Sequence, residues 1–309
     1  MALQTLREDN PSSLSNRKKG LAAGLAAILA FGLTIPVTRT IADTMPPLLI
    51  GPGRAAIAGI TAMAILACYR RTLPCHADRK QLLIVAAGVV LGFPLFSAWA
   101  MQYVAAAHAG VVMGILPLLT ALFGALLSRE RPSRGFWMAS IAGGLLTLYM
   151  MLPDEGWQPE FGDGLLAIAA VSAAMGYALG GRLASRLPGW EVICWALVFT
   201  LPLTLPLFLW QLGNTWQTVS TTHWLGFLYL ALVSQLLGFF LWYHSMALGG
   251  IARTSQLQLL QPFVTLTAAW FWMGEPFHAG TAIVAALIMG TVYLTQRITP
   301  YRQGGKINE

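Results

Sequence analysis

Charge is scarce in this chain. Asp, Glu, Lys and Arg make up 10% of its 309 residues, against about 25% in an ordinary soluble domain. Hydrophobic residues make up 56%, and mean hydropathy is +0.64. A soluble globular domain is excluded, and a polytopic membrane protein is left. Acidic groups are the scarcer charges, 12 against 19 basic, and none falls in the middle of a long apolar run. Proton-driven carriers place an ionisable group at that depth, so this lack favours facilitated export or exchange. Cysteine is nearly absent too. Cys68, Cys75 and Cys194 are odd in number and lack metal-ligand spacing, which predicts free thiols rather than a disulfide framework. The chain has no HExxH and no paired carboxylates, and no Cys–His or Ser–His pair at membrane depth. An intramembrane enzyme needs such groups, so catalysis is not expected, nor is any cofactor or metal.

What is present is a series of apolar runs, each long enough to cross about 30 Å of hydrocarbon at ~1.5 Å per residue. Ten spans are predicted. The first five run Leu21–Arg39, Pro47–Tyr69, Gln81–Tyr103, His108–Ser128 and Phe136–Leu152. The second five run Gly164–Ser185, Glu191–Leu212, Trp224–Leu248, Thr254–Met273 and Ala279–Gln296. A polar tail, residues 1–19, precedes them and is expected to be disordered. Arg17-Lys18-Lys19 then flanks a run too long for a signal-peptide core, so the first span is read as uncleaved. Residues 298–309 form a second tail.

Lys and Arg concentrate in cytoplasmic loops. With the amino terminus inside, that side receives every basic residue outside the spans, and Arg39 and Arg54 alone fall elsewhere. The loop carrying Asp154, Glu155, Glu160 and Asp163 lands outside. Both termini are then cytoplasmic. The net charge of +7 follows from topology and from contact with anionic lipid, not from nucleic-acid binding.

The two halves echo one another. Pro117 and Pro262 sit mid-span at an offset of 262−117 = 145, and Glu130 and Glu275 follow at 275−130 = 145. Thr120 pairs with Thr265 and Met101 with Met246 at the same offset. Phe31, Thr34 and Arg39 match Ala174, Tyr177 and Arg182 at 143. Five spans per half is an odd number, so residues 20–153 and 154–297 form two inverted five-helix repeats. A broken helix at matched places in two halves points to a transporter's binding site.

Several stretches resemble the drug/metabolite transporter superfamily, of the type with two EamA domains. They are Phe31-Gly32 leading to Arg39, Pro47 through Arg54 into Ala55-Ala56, Pro117 with Glu130, and Gly249 through Glu275 with Pro262. The resemblance implies an all-α membrane protein of ten transmembrane helices in the bacterial inner membrane. It also implies export or exchange of small organic solutes through a central cavity, amino acids or related metabolites foremost. Proton-coupled efflux of amphipathic drugs is the alternative, and a non-transporting sensor or scaffold is another. The family's first-helix Trp is Phe31 here, with Ala174 as its counterpart, so substrate preference does not carry over. Monomer and homodimer are both compatible with the chain.

Candidate substrate-binding residues begin on the ninth span. Ser255, Gln258, Gln261 and Thr265 recur at helical spacing on one face. Amides facing lipid are costly, so the face looks into a cavity or bonds to a neighbouring helix. Pro262 lacks an amide hydrogen and is expected to free the carbonyl of Gln258. The matching face of the fourth span is Gly110, Met113, Leu116 and Thr120, mostly apolar. There Pro117 is the break, and Met113 is either a soft cavity wall or ordinary packing.

Thr34 and Tyr177 are repeat-related and match the family's cavity-facing positions. Ser97 and Gln235 are polar residues within apolar spans. Arg54, beside the Gly51-Pro52-Gly53 break, is a candidate for gating or for an anionic substrate group. Candidates for proton coupling are His108, His244 and Glu275, although both histidines also suit an interface. Trp99 and Trp242-Tyr243 are expected in an aromatic belt, and Glu130 and Glu275 in capping contacts.

Overall fold

The structure, a computed structural model, describes residues 11–104, 109, 113–128, 130–151, 160–215, 219–273 and 279–298. Every element among them is helical, and they form ten rods in chain order. The first rod, α1, is Pro11–Gly32 continued by Thr34–Ala42, and α2 is Pro47–Cys68. The next, α3, runs His76–Val85, a π turn Ala86–Gly92, then Phe93–Ala100. After it come α4 (Leu116–Ser128), α5 (Arg134–Met151), α6 (Phe161–Leu183) and α7 (Gly189–Thr215). The eighth, α8, is Thr221–Leu228, a π turn Tyr229–Leu237, then Gly238–Gly249. In α9, Ile251–Ser255 passes through a 3₁₀ stretch, Gln256–Leu260, into Gln261–Met273. Last is α10, Ala279–Ile298.

Six of these, α1, α2, α3, α6, α7 and α8, are long and apolar enough to cross a membrane, and α4 is a shorter apolar helix. Large apolar side chains such as Leu126, Met138, Tyr149 and Phe271 point outward and are exposed. Water would penalise that surface and lipid does not.

Proline and small polar residues set the helix starts. Pro46 is extended and Pro47 opens α2, where its missing amide hydrogen costs nothing. Asp163 caps the backbone N–H of Glu160 at 2.9 Å as α6 begins. Lipid offers no hydrophobic drive between helices, so close approach through small residues supplies the packing. In α6 the buried face is Ala169, Ala170, Ala173, Ala174, Gly176 and Gly180. A Cβ at Gly88 of α3 would lie 2.5 Å from the carbonyl oxygen of Ser172, and α3 and α6 meet there.

The main packing partners are α2 with α7, α5 with α10 and α4 with α9, then α1 with α8 and α9, and α6 with α3 and α4. Exchanging each rod in the first five with the rod five places later returns the same list. The two π turns fall at matching positions, 229−86 = 143. End contacts are also consistent. Arg71, just after α2, pairs with Glu191 of α7, and Arg186 after α6 pairs with Asp78 of α3, both at 3.0 Å. The start of α1 bonds to the end of α10 through Arg17 and the Gln296 carbonyl. These residues mark a basic end. At the opposite end Arg39 pairs with Asp43 at 2.9 Å, and Tyr103 stacks edge-on against Phe161 at 5.3 Å.

One residue carries a hard backbone constraint. Gly250 links α8 to α9 at φ 84 and ψ 155, a region reserved for glycine. Replacing it with alanine is expected to cost about 1–3 kcal/mol, read as a lower melting temperature of the purified protein.

Candidate functional site

Three broken rods meet near the middle of the bundle. In α9, Pro262 cannot donate to Gln258, and the chain tightens into the 3₁₀ turn just before it. The N–H of Gln261 then bonds to the Gln258 carbonyl. The expectation that this carbonyl is free is therefore corrected: the missing hydrogen bond is replaced locally, one residue earlier. In α1 the break lies at Leu33. Pro36 deprives the Gly32 carbonyl, four residues back, of its donor. Thr265 of α9 fills that place, its Oγ1 donating to Gly32 O at 2.7 Å. Gln261 Nε2 reaches the neighbouring Phe31 carbonyl at 3.5 Å. In α4 the chain turns at Gly114–Ile115 and restarts at Leu116, with Pro117 in the first turn. Pro117 thus stands in the first turn of the helix that follows this break.

A two-lobed cavity lies at this junction. The larger lobe encloses about 470 Å³ of empty space, its mouth included, between an amide wall and an apolar wall. Gln258, Gln261 and Thr265 form the first, and Met113, Leu116 and Pro117 the second. Thr147 of α5 also reaches it. The smaller lobe, about 370 Å³, is bounded by Arg54, Thr34 and Ser234 and by the rings of Phe31, Phe93, Tyr177 and Phe239. Ile35, Met113, Leu116 and Gln261 line both lobes, so the two adjoin.

Two side chains in these walls have unmet hydrogen-bonding capacity. Gln258 is 4% exposed, and neither its Oε1 nor its Nε2 has a partner. Arg54 is 1% exposed. Its Nη2 donates to Ser234 Oγ at 3.3 Å, Ser234 in turn shares a 2.8 Å hydrogen bond with Thr34, and Arg54 Nε has no partner. No Asp or Glu is among the described residues lining either lobe. An arginine at membrane depth costs about 2.5–3.5 kcal/mol on insertion scales, and among the described residues lining the cavity no carboxylate offsets it. Tyr177 holds the floor of this lobe, stacked with Phe31 at 6.2 Å and edge-on to Trp242 at 5.6 Å.

Nine candidates from the sequence thus come together: Thr34, Arg54, Met113, Pro117, Tyr177, Gln258, Gln261, Pro262 and Thr265. Others lie elsewhere. Ser97 is buried with its Oγ on the Pro94 carbonyl at 3.4 Å. Gln235 is fully buried and donates to Val89 O at 3.0 Å, joining the π turns of α8 and α3. His244 is exposed near the basic end of α8. His108, Gly110 and Glu275 lie outside the described residues, as do the acidic positions Asp154 and Glu155.

Trp99 is exposed, whereas the aromatic-belt expectation is corrected for Trp242 and Tyr243. Both are fully buried, and the Tyr243 hydroxyl bonds to Gly176 O at 3.1 Å. All three cysteines are free. Glu130 does cap, and across the halves: its two oxygens accept from Ile251 N at 2.7 Å and Ala252 N at 2.8 Å. Phe93 and Phe239 of the smaller lobe have no signal in the sequence that marks them as site residues. The adjacent Ser234-Gln235 pair in an apolar run was the available signal for Ser234.

Comparisons with known proteins agree with this architecture. The EamA-like transporter family matches the chain twice, over residues 18–152 and 160–297. Uncharacterized transporter YdeK of Bacillus subtilis is 42% identical over 89% of this chain and 95% of its own. Aromatic amino acid exporter YddG of Ancylobacter novellus is 26% identical over 89% of this chain and 96% of its own. A solved crystal structure shares the fold with a TM-score of 0.74, at 21% identity over 91% of this chain and 98% of its own. The chain belongs to the EamA-like transporter family and is a multi-pass membrane transporter.

Proposed function

We propose that the protein is a secondary transporter that exports or exchanges small organic solutes, amino acids or related metabolites foremost, by alternating access. Its ten rods are two inverted five-helix repeats, residues 20–153 and 154–297, and the basic end with both termini faces the cytoplasm. The single observation that carries this reading is the cavity, walled by broken rods of both halves and holding polar groups without partners. Such groups are costly in a bundle and are retained where a solute satisfies them. The exchange symmetry of the packing list and the placement of the basic residues support the inversion. The name of the 26% identical exporter supports the amino-acid class. Pro117 and Pro262 act as the flexible points, with rocking of the halves exposing the cavity to each side in turn.

The test is flux in proteoliposomes loaded with amino acids, related metabolites and cationic dyes, with and without a pH gradient. Export of amino acids that does not depend on the gradient is expected. Gradient-driven flux of the dyes alone would make the protein a proton-coupled drug pump. Flux no greater than that of empty liposomes across the panel would make it a sensor or scaffold.

A further inference from the structure

We propose that the smaller lobe is a carboxylate subsite, in which Arg54 binds a monoanionic end of the solute while its apolar remainder lies against the rings and Met113. This deepens the transporter reading and rests on it. A guanidinium offers five N–H donors in a planar fork matched to a carboxylate. Arg54 has one described hydrogen bond, to Ser234, and its Nε has none. The side chain is 99% withdrawn from solvent, yet it borders empty space. No described acidic residue lines either lobe, so among the described residues nothing but an occupant can supply the counter-charge.

Ser234 and Thr34, a hydroxyl pair 2.8 Å apart, extend the polar patch. The surrounding rings of Phe31, Phe93, Tyr177 and Phe239 make the lobe a low-dielectric setting, which strengthens a charge-assisted contact. They also leave no apolar-only solution for that lobe: an occupant without a carboxylate would leave the buried guanidinium uncompensated. A dianion would bring one negative charge too many into the aromatic box. One carboxylate on an apolar body satisfies both constraints.

The experiment measures equilibrium binding and thermal stabilisation of the purified full-length protein with four probes. These are 3-phenylpropanoate, L-phenylalanine, L-phenylalaninamide and sodium chloride. The wild type is expected to bind both carboxylates at least about tenfold more tightly than the amide, because bidentate charge-assisted bonds are lost in the amide. In Arg54→Gln the carboxylates should weaken by about thirtyfold or more, the usual loss when one partner of a buried charge pair is removed, while the amide does not weaken. Arg54→Lys keeps the charge without the fork and should restore part of the carboxylate affinity, which separates a binding defect from misfolding.

Equal binding of amide and carboxylates by the wild type overturns the subsite, as does unchanged carboxylate affinity in Arg54→Gln. So does binding of chloride alone, an inorganic-anion site, or of none of the organic probes. Flux of cationic solutes with no carboxylate binding would sink the subsite and keep the transporter. Carboxylate binding with no flux of any solute would do the reverse.

Discussion

Glu130→Ala is expected to open the basic end of the bundle. Glu130 lies just past α4 in the first half, and its carboxylate accepts from the first two amides of α9 in the second half, at 2.7 and 2.8 Å. Those amides begin a helix and have no partner within it, and a negative charge there is favoured by the helix dipole. Hydrogen bonds to a charged group contribute about 1.5–3 kcal/mol each. Losing both shifts the closed-to-open ratio by about 3 kcal/mol, roughly a hundredfold.

The readout is a cysteine placed at Thr120, which is fully buried in α4, with Cys68, Cys75 and Cys194 replaced by serine. A water-soluble thiol reagent added at the basic end should leave it unmodified when Glu130 is present and label it rapidly in Glu130→Ala. Glu130→Gln keeps an acceptor but not the charge, and should fall between. Identical labelling in all three would show that this contact does not hold the end shut.

Gln258→Leu is expected to stabilise the protein and impair transport at once. Both ends of the Gln258 amide are buried without partners, and each such group costs about 1–3 kcal/mol. Leucine of similar volume removes that cost. The melting temperature of the purified protein should rise by about 2–4 °C for each kcal/mol gained, while KM for the exported solute rises about tenfold as a contact to it is lost.

Thr265→Val, on the same face of α9, should move the other way. Its hydroxyl fills the carbonyl that Pro36 leaves open, at 2.7 Å. Valine leaves that carbonyl unpaired, at a cost of about 1–3 kcal/mol. If Gln258→Leu lowered stability as Thr265→Val does, Gln258 would be a structural residue and the amide wall would not be a binding surface.

Much of this site was legible in the chain because the relevant signals are periodic or chemically rare. Gln258, Gln261 and Thr265 recur at helical spacing in an apolar run. Arg54 is the one cation deep in a span, and the 143 to 145 offsets mark where the halves correspond. What was hidden depends on pairs of segments far apart in sequence. The Gly32 carbonyl is opened by Pro36 but matters only because Thr265 arrives from the other half, 233 residues away.

Gln258 and Gln261 are the same residue type on the same face, yet one has no partner and the other reaches Phe31 O. No single-chain pattern separates them. The π turns of α3 and α8 escaped as well, since a wider turn changes backbone bonding without altering which residues are apolar. Trp242 and Tyr243 suit a membrane interface by composition, and only their packing on Tyr177 and Phe239 shows them to be central.

Movement between the halves at the basic end is the claim on which the rest depends, and a reversible cross-link there tests it most directly. A Cβ built at Gly124 lies 3.1 Å from Ile251 Cβ, close to the about 3.5–4.5 Å of a disulfide. Changing Ile251 to cysteine also removes the Cγ2 that would otherwise crowd it at 2.7 Å. With the three native cysteines replaced by serine, Gly124→Cys with Ile251→Cys should transport under reducing conditions, stop when oxidised, and resume on reduction. Full transport by the oxidised, quantitatively cross-linked protein would contradict alternating access through this cavity.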